Sequence, residues 1–115
     1  MISRRLCYAC DLKDDPKLIA EYKKYHQSIW PEIRKSITDA GILNMEIYLC
    51  QNRLFMIMDV AAHFDADIKK KMDNDNPKVQ DWERLMWDYQ QALPKVDKNE
   101  KWIPMECIFN LSSSS

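Results

Sequence analysis

The chain carries a single glycine, Gly41, in 115 residues. Loops of the GxGxxG or P-loop kind need several positions without a Cβ so that backbone N–H groups can close on a phosphate. Nucleotide binding by that route is therefore excluded. A surplus of positive charge is also missing: 17 Lys and Arg stand against 18 Asp and Glu, a formal net charge of −1. Without basic residues in excess to displace counterions, no nucleic-acid partner is expected. No apolar run approaches the roughly 18 to 20 residues that a membrane helix requires, so no membrane partner is expected either. The opening stretch MISRRLCYACDL has too short an apolar segment for a signal peptide, and a cytoplasmic address is the expectation. Histidine is scarce, with only His26 and His63. These two, the scattered cysteines and the carboxylates give no three-ligand set at metal spacing, so no metal cofactor is expected. No serine stands in a nucleophile-elbow context, which leaves Ser/His/acid hydrolysis without support.

The length fits one core, and residues 1–111 are expected to form a single domain followed by a disordered tail at 112–115. Four cysteines are present, Cys7, Cys10, Cys50 and Cys107. The CYAC spacing invites a redox or zinc reading, but the surrounding residues read as a strand, where positions three apart point to opposite faces. Buried or half-buried free thiols are expected, in keeping with a reducing compartment.

Hydrophobic periodicity lays out the elements. Ile2 to Cys10 reads as a strand, and the acidic DLKDDP that follows suits a turn and a helix start. Leu18, Tyr22, Tyr25, His26 and Ile29 then fall on one helical stripe, opposite Glu21, Lys23, Lys24 and Gln27. Pro31 predicts a break at Trp30 and a second helical piece to Ala40, with Gly41 where a C-terminal cap belongs. ILNMEIYLC and RLFMIMDV, joined by Gln51 and Asn52, predict an antiparallel hairpin. AAHFDADIKKKMDNDNP reads as a charged helix or loop, and Pro77 opens a firmer helix running to Leu93, with Trp82, Leu85, Met86 and Tyr89 on its apolar side. A last strand is expected from Trp102 to Phe109.

The order β-α-β-β-α-β is the split βαβ arrangement, and the expected fold class is α+β, ferredoxin-like, with helices on one face of a four-stranded antiparallel sheet. Strands such as LFMIMDV are apolar at nearly every position, which implies that both faces are covered. A homodimer packed sheet against sheet, the dimeric α+β barrel, would do this.

One short segment concentrates chemistry: in EYKKYHQSIWPE, residues Tyr22, His26 and Trp30 are four apart and share a helix face. The ordinary role for such a histidine is a hydrogen-bonded core residue. Its pKa near 6.5 also equips it to give and accept a proton, and Trp30 and Trp82 offer flat surfaces that pack on sugar C–H faces. His63 reads as surface or capping, and Met45, Met56, Met58, Met72 and Met86 as core filling. Glu32 and Glu83 stand beside tryptophans and are candidate pocket carboxylates, with a solvated surface role as the alternative.

YKKYHQSIWPEI, GILNMEIYL, RLFMIMDV and VQDWERLMWDYQQALP together resemble the L-rhamnose mutarotase family, over nearly the whole chain from Ile2 to Phe109. The resemblance implies a homodimeric ferredoxin-like isomerase that interconverts the α and β anomers of a 6-deoxyhexose without a cofactor, with L-rhamnose as the expected substrate and L-fucose as the alternative. It further implies that His26 is the catalytic proton donor and Tyr22 binds the sugar. The family's sugar-contacting tryptophan pair falls on Trp82 and Glu83, so only its first member is retained. A further sugar-binding tyrosine falls on Met45, which lacks the hydroxyl. Monooxygenases and non-catalytic effector-binding modules use the same dimeric barrel and are the competing readings.

Overall fold

A computed structural model of the chain describes residues 4–97 and 100–112. Ile2, the residues Lys98 and Asn99 of the polar loop, and Ser113 to Ser115 of the serine tail lie outside the described residues. The elements are β1 (Arg4–Leu12), α1 (Pro16–Gln27), α2 (Pro31–Asp39), β2 (Ile42–Cys50), β3 (Arg53–Val60), α3 (Ala66–Asn74), α4 (Pro77–Trp87), β4 (Gln90–Gln91) and β5 (Ile103–Pro104). All pairings are antiparallel, in the order β2-β3-β1-β4, with β5 also on β1. Two two-residue strands thus share the fourth position of a ferredoxin-like sheet.

Local chemistry starts each helix. Asp15, Asp65 and Asn76 sit in extended conformation and accept from the backbone N–H groups that open α1, α3 and α4. Proline occupies the first turn of α1, α2 and α4, where its missing N–H is no loss. Gly41 ends α2 at φ 94° and donates to Thr38 O, the left-handed turn only glycine takes cheaply. The hairpin turns at Gln51, φ 57°, and Asn52, whose side chain donates to Leu12 O at 3.0 Å and ties the turn to β1.

Register decides which residues face the helices. Leu6 pairs with Met58 and Tyr8 with Met56, while Met45 and Ile47 oppose the same two methionines from β2. These side chains therefore share the covered face. A bulge at Leu43 places Ile42 and Met45, three apart, on that one face. Leu12, Leu54, Val60 and Cys10 are fully buried there. The opposite face carries no helix. Arg5 with Asp59 and Arg53 with Asp11 pair at its two ends, and Cys7, Phe55, Ile57 and Tyr48 lie between them.

Three expectations are corrected. The helix foreseen to Leu93 stops at Trp87: Asp88 and Tyr89 donate to Leu85 O and Met86 O, and Gln90–Gln91 pair with Leu12 and Asp11 of β1. Pairing with a distant strand outweighs local helix propensity. The strand foreseen from Trp102 to Phe109 is confined to Ile103–Pro104, because its last bond to β1 is Met105 N to Cys7 O. Cys50 and Cys107 are exposed, as is Met72 on an α3 that buries none of its residues, since the strand end, the arm after β5 and that helix face lack a covering element. All four thiols are free. Among the described residues no helix is long and apolar enough to cross a membrane.

Candidate functional site

Between the covered sheet face and the helices lies a cavity of about 680 Å³, a size suited to a small molecule. Met45, Ile47, Met56 and Tyr8 form its sheet wall. Tyr22 and His26 enter from α1, Trp82 and Glu83 from α4, Lys69 and Asp73 from α3, and Lys101 and Trp102 from the segment before β5. Five of the seven residues singled out from the sequence, Tyr22, His26, Met45, Trp82 and Glu83, are brought together here. Trp30 stands behind the lining, its ring 5.0 Å from Trp82 and nearly perpendicular to it. Its extended backbone, imposed by Pro31, turns it toward α4 instead of continuing the helix. Glu32 is exposed and outside the cavity.

The histidine is held at several points. Tyr22 and His26 lie one helical turn apart with ring centroids 4.3 Å apart, and Trp82 presents its edge to the imidazole at 5.5 Å. His26 Nδ1–H donates to the carbonyl oxygen of Tyr22 at 2.9 Å. A carbonyl only accepts, so Nδ1 carries the proton in the neutral ring and Nε2 is left with the lone pair. Burial lowers the imidazole's pKa below 6.5, against the Tyr22 hydrogen bond, which raises it. The resting ring is thus neutral near pH 7, with Nε2 free to take a proton.

Tyr22 is almost fully buried, and burial raises its phenol pKa well above the ordinary value, so it remains a hydroxyl. Gln90 Nε2 donates to Tyr22 Oη at 3.3 Å, which leaves the phenolic proton available to another acceptor. Among the described residues the Gln90 Oε1 atom is buried without a partner. Burial also pushes the Cys10 thiol up to about 12, which makes it unreactive at neutral pH.

Charged groups complete the lining. Lys69 and Asp73 form an ion pair along α3. Glu83 and Lys101 share the cavity, but among the described residues neither side chain makes a hydrogen bond or an ion pair. Sequence reasoning missed Lys101, Gln90 and Tyr8. Gln90 had been placed inside a helix, and nothing in the local pattern around Lys101 sets it apart from the neighbouring lysines.

An antiparallel α+β sheet with a partly open cavity lined by aromatic rings, one oriented imidazole and a few hydroxyl and charged groups defines a small-molecule-binding α+β protein. The comparisons give that class a family. The L-rhamnose mutarotase family profile matches residues 5–111. An L-fucose mutarotase of Xanthomonas campestris is 42% identical over 116 residues, covering 99% of this chain and 93% of its own. An L-rhamnose mutarotase of Jannaschia sp. is 29% identical, covering 90% and 96%. The crystal structure of an L-rhamnose mutarotase from Formosa agariphila superposes with a TM-score of 0.70 at 26% identity, over 94% of this chain and 98% of that one. The chain belongs to the L-rhamnose mutarotase family, isomerases that act on sugar anomers.

Proposed function

We propose that the protein interconverts the α and β anomers of a 6-deoxyhexose without a cofactor, with His26 as the proton-transfer group. The observation that carries this reading is the His26 imidazole, fixed through Nδ1 and lodged among Tyr22 and Trp82 in a cavity with ample room for a monosaccharide. In a pyranose the anomeric O1 and the ring O5 are both bonded to C1, so one nitrogen can serve both. Neutral Nε2 takes the O1 proton as the carbonyl forms. The C1–O5 bond breaks, and O5 takes the proton from Nε2. Rotation about C1–C2 presents the other carbonyl face, and the same steps in reverse close the ring. His26 is thus the donor to O5, and the proton it donates comes from the sugar.

Tyr22 donates to a sugar oxygen, Trp82 packs on the sugar's C–H face, and Trp30 braces Trp82. Met45 and Glu83 stand where the family resemblance places a tyrosine and an indole. Together with the greater likeness to the L-fucose mutarotase, they favour L-fucose over L-rhamnose. Free cysteines support a reducing, cytoplasmic setting.

The working form is a homodimer. Beyond Met105 the chain runs on with Ile108, Phe109 and Leu111 at 89%, 70% and 78% exposure, and among the described residues one sheet face, with Cys7, Phe55, Ile57 and Tyr48, carries no helix. A second copy would bury both surfaces.

Saturation-transfer proton NMR on the anomeric signals of L-fucose and L-rhamnose tests the reaction. Exchange faster than in buffer with wild type, and not with His26→Ala, is expected. No acceleration with either sugar would overturn the reading.

A further inference from the structure

We propose that Glu83 and Lys101 form a separated charge pair that reads one hydroxyl of the sugar and sets which 6-deoxyhexose is accepted. This rests on the mutarotase reading and deepens it. Lys101 lies on the segment leading into β5, and Glu83 follows Trp82 on α4, so the cavity alone brings them together. The lysine stem passes Trp87, with Nζ 5.3 Å from the ring centroid, so an aromatic face holds the ammonium beside the cavity.

Leaving such a group partly buried without an acceptor is costly. The described residues supply none, although Glu83 is near enough for its charge to act on Lys101. Burial lowers the Lys101 pKa, and Glu83 opposes that shift. Two opposite charges that face one cavity without touching leave room between them for a group that both donates and accepts. A sugar hydroxyl is such a group. Its O–H donates to the Glu83 carboxylate, and its oxygen accepts from the Lys101 ammonium. A purely anionic or cationic ligand would meet one partner and be repelled by the other, so the arrangement suits a neutral polyol.

L-fucose and L-rhamnose differ in configuration at C2 and C4. A fixed pair of charges reaches a hydroxyl there in one configuration and misses it in the other. Lys101 is accordingly a specificity-determining residue: it binds the sugar and takes no part in moving the anomeric proton.

The test compares anomer exchange of L-fucose, L-rhamnose and the 2-deoxy and 4-deoxy forms of the preferred sugar, with wild type, Lys101→Met, Lys101→Arg and Glu83→Gln. For the preferred sugar, Lys101→Met should raise KM about tenfold or more, the loss expected for a hydrogen bond to a charged group, while kcat falls by less than about threefold. The preference between the two sugars should shrink by a similar factor. Lys101→Arg should restore most of it, and Glu83→Gln should weaken the same sugar. One of the two deoxy sugars should be turned over equally by wild type and Lys101→Met, which identifies the hydroxyl read. An unchanged KM and preference in Lys101→Met would overturn the inference with the mutarotase reading intact, as would an equal loss with every sugar. Absence of acceleration by wild type would instead remove the mutarotase reading on which the inference rests. Should Lys101→Met not fold, the Lys101→Arg and Glu83→Gln preferences decide.

Discussion

The His26 imidazole is anchored by the residue it works beside: its Nδ1 donates to the Tyr22 carbonyl at 2.9 Å while the two rings lie 4.3 Å apart. One helical turn therefore fixes the tautomer, the ring plane and the neighbouring hydroxyl together. Replacing His26 with Ala should lower the enzyme-catalysed anomer exchange by about 10² to 10⁴-fold, the usual contribution of a positioned acid or base. The far-ultraviolet circular dichroism should stay that of wild type, since His26 is only half-buried. Exchange at the wild-type rate would remove His26 from the mechanism.

The neutral resting ring also sets the acid limb of activity. With the pKa held below 6.5, kcat/KM measured by the same exchange should be level above that pH and fall as the imidazole protonates below it. Stability follows the same sense. Below 6.5 the unfolded chain takes up this proton before the folded one, so the His26 contribution, whole above 6.5, is lost as pH falls through the lower folded value. His26→Gln should flatten both limbs. A rate that climbs on acidification would mean that solvent protonates His26 before the sugar does.

Gln90 offers a separable test of Tyr22. Gln90→Leu deletes the donor to the Tyr22 hydroxyl and also an oxygen buried without a partner. Stability should therefore change by no more than about 1 kcal/mol, because the lost bond and the relieved desolvation offset one another. KM for the sugar should rise severalfold, as the phenol loses its fixed orientation. Chemical denaturation and anomer exchange on the same sample read both. A loss of more than about 2 kcal/mol would assign Gln90 to the core instead.

The arm after β5 carries the assembly prediction. Ile108→Glu with Phe109→Glu should shift the mass measured by light scattering from two chains to one, while wild type stays at two. These side chains are almost fully exposed within one chain, so the substitutions remove nothing from its own core. A wild-type protein that is monomeric at all concentrations would refute the dimer.

Short-range chemistry was legible in the sequence. The spacing of Tyr22 and His26, the break that Pro31 imposes at Trp30, the cap at Gly41 and the Gln51–Asn52 hairpin all depend on neighbours within a few residues, and they predicted the α+β, ferredoxin-like class. The structure departs where distant residues decide. Gln90 leaves the helical pattern because β1 offers it a partner, and Cys107 is exposed because among the described residues nothing covers the segment after β5. Lys101 lines the same cavity as Glu83 across 18 positions of sequence, a juxtaposition that periodicity cannot carry. Met45 faces the cavity because a bulge at Leu43 resets the alternation.

Lys101 and Trp102 immediately precede β5, and β5 runs straight into the exposed arm. One cavity wall and the exposed apolar arm are thus the same stretch of backbone. In the proposed dimer whatever seats the arm also steadies that wall, and protein concentration is then expected to become a kinetic variable. Dilution should erode apparent affinity for sugar before it erodes turnover.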